Sequence, residues 1–135
     1  MEASRRYIRD ILSVPNDYHI WFLGGGCHLQ FAGIPLNFLG NNPNATANYT
    51  TTGYFSKLSF SEAKRYCNAK SICTLTADEK GLFYLPQSYD YDSNAVYTHF
   101  IDNESVEGIS YSIDRYPKFE GTPLFNDCSS SFLTR

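Results

Sequence analysis

The chain has 135 residues, 42% of them hydrophobic and 19% charged, which is enough to bury a core and too little for two domains. A formal charge of -3 with a pI near 5.5 supplies no basic field, so neither nucleic acid nor an anionic membrane surface is expected as a partner. Eleven Tyr and ten Phe against six Pro and nine Gly mark a chain that packs, outside the low-complexity classes.

The opening "MEASRRYIRD" has no apolar h-region, and no run of about 18 apolar residues occurs. Neither a secretory signal nor a membrane span is expected, and the cytoplasm is the expected compartment. Cys27, Cys67, Cys73 and Cys128 are scattered without a CxxC pair. They read as buried free thiols, with no zinc or other metal site and no disulfide. The sequons at Asn44, Asn48 and Asn103 read as chance matches.

Residues 2–13 place Tyr7, Ile8, Ile11 and Leu12 on one helical face, and Pro15 stops that helix near Val14 by disfavouring helical geometry in the residue before it. "YHIWFL", residues 18–23, is apolar enough for a strand buried on both faces, as in a parallel sheet. The glycines at 24–26 follow directly. They let the backbone turn sharply into a helix over about residues 28–39, which Pro35 is expected to bend. Such a turn is either a tight connection or a phosphate cradle, because the first turn of a helix offers unpaired N–H groups.

"GNNPNATAN" reads as a surface loop and "YTTTGYF" as a short strand ending at Gly53. A second helix is expected over about residues 57–68, with Phe60, Ala63 and Cys67 inward and Ser59 with Glu62 as a capping box. "SICTLT" is another strand, and residues 77–94 a long loop or small insertion. "AVYTHFI" and "GISYSI" are strands flanking "DNESVE", and "TPLFND" is the last strand, ending at Asp127. Strands alternating with helices predict an open α/β sheet, whose ligands sit outside the carboxyl ends of the strands. Those ends are residues 24–27, 53–55, 102–105 and Asp127, a set suited to a flat phosphorylated cofactor.

Taken singly, each of these residues has a plain structural explanation. Phe55 alone reads as a core aromatic and Ser105 as a turn hydroxyl. Asp127 reads as a cap, His28 as a surface or satisfied histidine, and His99 as one that packs or hydrogen-bonds locally on its strand.

The ordered stretches, however, resemble the phosphoserine aminotransferases, class V members of the fold-type I pyridoxal-phosphate enzymes. "VPNDYHIWFLGGGCHLQFAGIPLNFLG" is similar to that family's "VP..Y...F..GGG..QF...PLN..G". "TTGYFSKLSFSEAKRY", "HFIDNESVEGI" and "NDCSSSFLTR" resemble its tryptophan, "NET" and "DmSS" motifs. The resemblance covers nearly the whole chain. It implies an α/β fold that is part of the mainly parallel-sheet large domain, and amino transfer between glutamate and 3-phosphohydroxypyruvate, giving O-phosphoserine and 2-oxoglutarate in serine biosynthesis. It also implies pyridoxal 5'-phosphate as cofactor and a homodimer at full length.

The roles it implies are phosphate binding by Gly26, Cys27 and His28, ring stacking by Phe55, a hydroxyl from Ser105 to the phenolic oxygen, and pairing of Asp127 with the pyridine nitrogen. The chain departs from the pattern at Leu29, where the family has glycine, at Phe55 for Trp and at Ser105 for Thr. The family's Schiff-base lysine lies in a motif beyond the "NDCSSSFLTR" match. Residues 1–135 are therefore expected to be a central fragment of the large domain, without the lysine region, the N-terminal segment or the small domain, and inactive alone. The alternatives are a non-catalytic binding or interaction protein that kept part of the fold, and another class V aminotransferase.

Overall fold

Four parallel strands, in the spatial order Asn68–Thr74, Thr46–Thr51, Thr98–Ile101 and Leu124–Asp127, form the sheet on which everything else is arranged. The computed structural model describes residues 1–112 and 116–134. Along the chain the elements are α1 (Glu2–Leu12), α2 (Gly26–Phe38), β1 (Thr46–Thr51), α3 (Tyr54–Ala63), β2 (Asn68–Thr74), β3 (Thr76–Ala77), β4 (Phe83–Tyr84), β5 (Thr98–Ile101), β6 (Asn103–Glu104), β7 (Ile109–Ser110) and β8 (Leu124–Asp127).

The inner strands β1 and β5 are almost wholly buried, yet "TANYTT" is not an apolar run. The alternation of a strand explains how both faces are satisfied. Ala47 and Tyr49 join Leu39, Ala63, Cys67 and Tyr97 in the apolar cluster beneath α2 and α3. The Tyr49 and Tyr97 hydroxyls, 2.6 Å apart, satisfy each other there. On the opposite face Asn48 donates through Nδ2 to the Asp92 carbonyl at 2.9 Å and to Thr98 Oγ1 at 3.1 Å. Beside them Phe100 packs edge-on against Tyr111 and Tyr116. The buried Asn48 side-chain amide thus has its partners, as burial in a low-dielectric interior demands.

Several boundaries differ from the sequence expectation. Residues 18–23 form no strand, and Trp21 and Leu23 are 70% and 69% exposed. A strand needs a neighbour for its amides and carbonyls, and this stretch pairs with none among the described residues. Arginines of α1 bind its carbonyls instead: Arg5 Nε donates to Ile20 O at 3.1 Å and Arg9 Nη2 to Tyr18 O at 2.8 Å. Helix α3 starts at Tyr54, earlier than expected, because Ser56 Oγ accepts the Gly53 N–H at 2.8 Å and closes the first turn. Ser59 is therefore inside the helix, and Glu62 bonds Arg65 and Tyr66 rather than a cap. β1 starts at Thr46, taking in the end of the expected loop. In "GISYSI" only Ile109–Ser110 is strand, paired with β6 in a hairpin away from the main sheet; Ile113 lies outside the described residues.

Candidate functional site

Because the sheet is parallel, the segments leaving β1, β5 and β8 all emerge along one edge, and the glycine turn meets them there. Gly25 and Gly26 have φ of 88° and 61°, the left-handed region that other residues occupy at a cost. A Cβ on Gly25 would also lie 2.5 Å from the Leu29 side chain. This turn opens α2 at Gly26, so the amides of the first helical turn have no intrahelical acceptor and face outward with the positive end of the helix dipole.

Asp127 closes β8. Its Oδ1 accepts bonds from Ser129 N at 3.0 Å and Ser129 Oγ at 2.5 Å. The turn after it is clasped to the end of β5: Ser131 Oγ donates to Asp102 Oδ1 at 2.6 Å, and Asn103 Nδ2 to Ser130 Oγ at 2.8 Å. Asp102 is also held by the Tyr116 hydroxyl at 2.6 Å. That clasp fixes where the Asp127 carboxylate points.

Between α2 and β8 lies a largely apolar cleft of about 620 Å³, walled by Phe31, Ile34 and Phe125 and carrying Gly26, Cys27, His99 and Asp127 on its lining. Three of the residues expected to bind the cofactor, Gly26, Cys27 and Asp127, thus share one cleft. His28 and Phe55 lie beside it, their rings 6.2 Å apart and edge-on, with His28 in turn 5.6 Å from Phe31. Ser105 is exposed in the β6–β7 turn and does not line the cleft. Among the described residues no group of three or more side chains is placed to hold a metal ion.

Two residues gain importance that sequence reasoning left aside. His99, read as locally packed, is 1% exposed and forms part of the cleft wall. Its ring lies 5.1 Å from that of Tyr49 and 6.1 Å from that of Phe31, and Nδ1 is 3.4 Å from Ser59 Oγ. Burial pushes the imidazole down to about 4, with Asp127 pulling weakly the other way, so it is neutral at pH 7. Its signal in the sequence is its place in β5, opposite Phe125 and on the same face as Asp127. Glu104, the middle residue of "NES", is 1% exposed. Burial raises its pKa, with Ser56 and Thr52 acting in the opposite direction and Glu107 reinforcing the rise.

No protein-family model matches the chain. It is 36% identical over 135 residues to the phosphoserine aminotransferase of Vesicomyosocius okutanii subsp. Calyptogena okutanii (strain HA), an overlap of 99% of this chain and 36% of that protein. To the phosphoserine aminotransferase of Pseudomonas putida it is 37% identical over 134 residues, again 99% of this chain and 36% of the relative. Among solved structures, a phosphoserine aminotransferase studied for radiation damage of its Schiff base superposes with a TM-score of 0.86 at 30% identity, over 99% of this chain and 36% of that one. The pyridoxal-phosphate-bound phosphoserine aminotransferase of Trichomonas vaginalis gives 0.79 at 31% identity, over 96% and 36%. The chain spans about a third of the length of the relatives it matches, and it shares the fold of that third.

Proposed function

We propose that this chain, related over nearly its whole length to the phosphoserine aminotransferases, is the cofactor-binding middle of such an enzyme's large domain. The whole enzyme transfers an amino group between glutamate and 3-phosphohydroxypyruvate, giving O-phosphoserine and 2-oxoglutarate. The observation that carries the reading is the cleft in which the N-terminus of α2 and the carboxylate of Asp127 meet. Cytoplasmic location and a homodimer of the full-length enzyme belong to the same reading; no described helix is long and apolar enough to cross a membrane.

The residues present fit pyridoxal phosphate. One wall offers outward amides and a helix dipole for a phosphate. The apolar sides suit a flat ring, and Asp127 keeps Oδ1 engaged by Ser129. A neutral His99 puts no positive charge of its own beside that carboxylate. When bound, the cofactor supplies a protonated pyridine ring that draws electrons from the substrate's α-carbon. Asp127 would hold the proton on the ring nitrogen by its negative charge. Gly26, Cys27 and His28 would hold the phosphate through backbone N–H groups, so their side chains are free to vary. Phe55, in the first turn of α3, would cover a ring face, and Ser105, in the β6–β7 turn, would donate its hydroxyl to the phenolic oxygen.

No lysine is among the cleft residues; Lys57 and Lys64 are exposed on or beside α3, and Lys80 and Lys118 are exposed in loops. On this reading the chain alone binds the cofactor non-covalently and does not transaminate, since the amine that would hold the cofactor and move the α-proton is not at the site. The same observation favours a second reading, a non-catalytic binding protein on this fold.

A cofactor titration of the 135-residue chain, followed by borohydride reduction and mapping of modified lysines, tests both. Weak binding is expected, weakened about tenfold or more by Asp127→Asn, with low labelling spread over several lysines and no glutamate-dependent turnover. Equal binding by the Asn variant would remove Asp127 from the site. One dominant labelled lysine together with turnover would overturn the incomplete-site reading.

A further inference from the structure

The segment that leads into Phe55 and the hairpin that carries Ser105 meet at the carboxyl groups of Glu104 and Glu107. Thr52 Oγ1 donates to Glu104 Oε1 at 3.2 Å, and Glu104 itself is anchored in its hairpin by the Gly108 N–H, which donates to its carbonyl at 2.9 Å. The carboxyl group lies directly over Gly53: a Cβ built there would be 2.5 Å from Glu104 Cδ and 2.6 Å from its Oε2. Gly53 donates its N–H to Ser56 Oγ at 2.8 Å, so the segment under Glu104 is the first turn of α3. Phe55 immediately precedes Ser56, and Ser105 immediately follows Glu104.

We infer that Glu104 is a positioning residue, a clasp that sets the separation of the Phe55 turn from the Ser105 turn. The inference rests on the cofactor reading for what the two turns do, and on the geometry alone for the clasp. Ser105 and Phe55 stand outside the cleft, Ser105 in the β6–β7 turn and Phe55 in the first turn of α3. A turn hydroxyl and an aromatic at a helix start contribute most to binding when their separation is already held, since freezing it at the moment of binding consumes conformational entropy.

The clasp has a protonation state. Glu104 Oε2 is buried with no hydrogen-bond partner, a position an ionised oxygen tolerates poorly and a protonated carboxyl tolerates better. Glu107 Oε2 lies 2.5 Å from the same built Cβ of Gly53, so the two carboxyl groups are close neighbours and their charges oppose each other. The groups acting on Glu104 are Thr52 and Ser56 from the β1–α3 segment and Glu107 from its own hairpin; of these Glu107 is the ionisable one. Because the folded state favours the proton, the clasp is complete below the ordinary carboxylate range. It loosens as pH rises through the elevated value.

Amide hydrogen exchange on the 135-residue chain, corrected for the intrinsic pH dependence, reads the clasp directly. Glu104→Ala is expected to speed exchange about tenfold in residues 52–57 and 103–110 together, leaving β1 and β5 unchanged, whereas Glu104→Gln, a neutral isostere, keeps wild-type protection. Raising the pH should speed the same two segments in wild type and leave the Gln variant flat. Unchanged exchange in either segment of the Ala variant, or a Gln variant as fast as Ala, would overturn the clasp. If Glu104→Ala does not fold, the wild-type and Gln profiles across pH decide the matter between them. A parallel titration with pyridoxal phosphate separates the two readings. Weaker binding by Ala but not by Gln supports the positioning role, and equal binding by all three overturns it. No binding by wild type overturns the cofactor site while the exchange result still decides the clasp.

Discussion

His99 is a histidine that behaves as a neutral aromatic. Tyr49, Phe31 and Ser59 surround it, and burial holds its imidazole near 4 against an ordinary 6.5. The sign of the linkage follows. Since the folded state disfavours the imidazolium, the stability His99 contributes is present above the unfolded value of 6.5 and is lost as pH falls through the folded value of about 4. Denaturant unfolding should lose on the order of 3 kcal/mol across that window. The loss should be much smaller in His99→Gln. An NMR titration should show the His99 ring still unprotonated at pH 5. A His99 ring already charged at pH 5 would mean the cleft wall is wet, and the reading of His99 as a neutral neighbour of Asp127 would go with it.

The start of α3 shows how an element boundary is decided by what packs on it. Gly53 adopts an extended conformation, with φ of -162°, which any residue can reach, so its glycine is required by space rather than by backbone freedom. A Cβ there meets Glu104 Cδ and Glu107 Oε2, both at 2.5 Å. Glu107 is exposed and can swing away, but Glu104 is buried and cannot. Gly53→Ala should therefore destabilise by about 1–3 kcal/mol, read as a lower midpoint in urea at unchanged slope. It should also raise exchange in both segments that Glu104 joins. Gly53→Ala in a Glu104→Gly background relieves the overlap, and the double variant should be less destabilised than the sum of the two single changes. Strict additivity would show that the alanine acts on α3 by another route.

Among the described residues the main sheet has open margins: β8 is paired on one side, with β5, and its Leu124 is 45% exposed. Trp21, Leu23 and Phe132 stand exposed around the cleft beside it. Unpaired strand edges next to apolar surface template association, and a charge of -3 on 135 residues offers little repulsion against it. The isolated chain should self-associate with increasing concentration in sedimentation velocity, and Leu124→Lys should reduce that tendency, as charged residues do on natural edge strands. A chain that stays monomeric at high micromolar concentration would show that this margin is already protected.

Much of this was legible along the chain. The spacing of Tyr7, Ile8, Ile11 and Leu12 and the stop before Pro15 gave α1 to within a residue. The glycine turn opens a helix as expected, and Asp127 does close the last strand. These depend on neighbours within a turn or two, where periodicity, proline and glycine act locally. The motif order carried further, to the family's fold. Residues 18–23 have the composition of a strand, but a strand is a relation between two segments, and without a partner the arginines of α1 take its carbonyls. Whether His99 is neutral, whether Glu104 is buried, and why Gly26 and Asp127 share a cleft while Ser105 stands apart are likewise decided by residues distant in sequence. Burial and pairing in a parallel sheet are set by strands that meet only after the intervening helices and loops have packed, so only the tertiary structure could decide them.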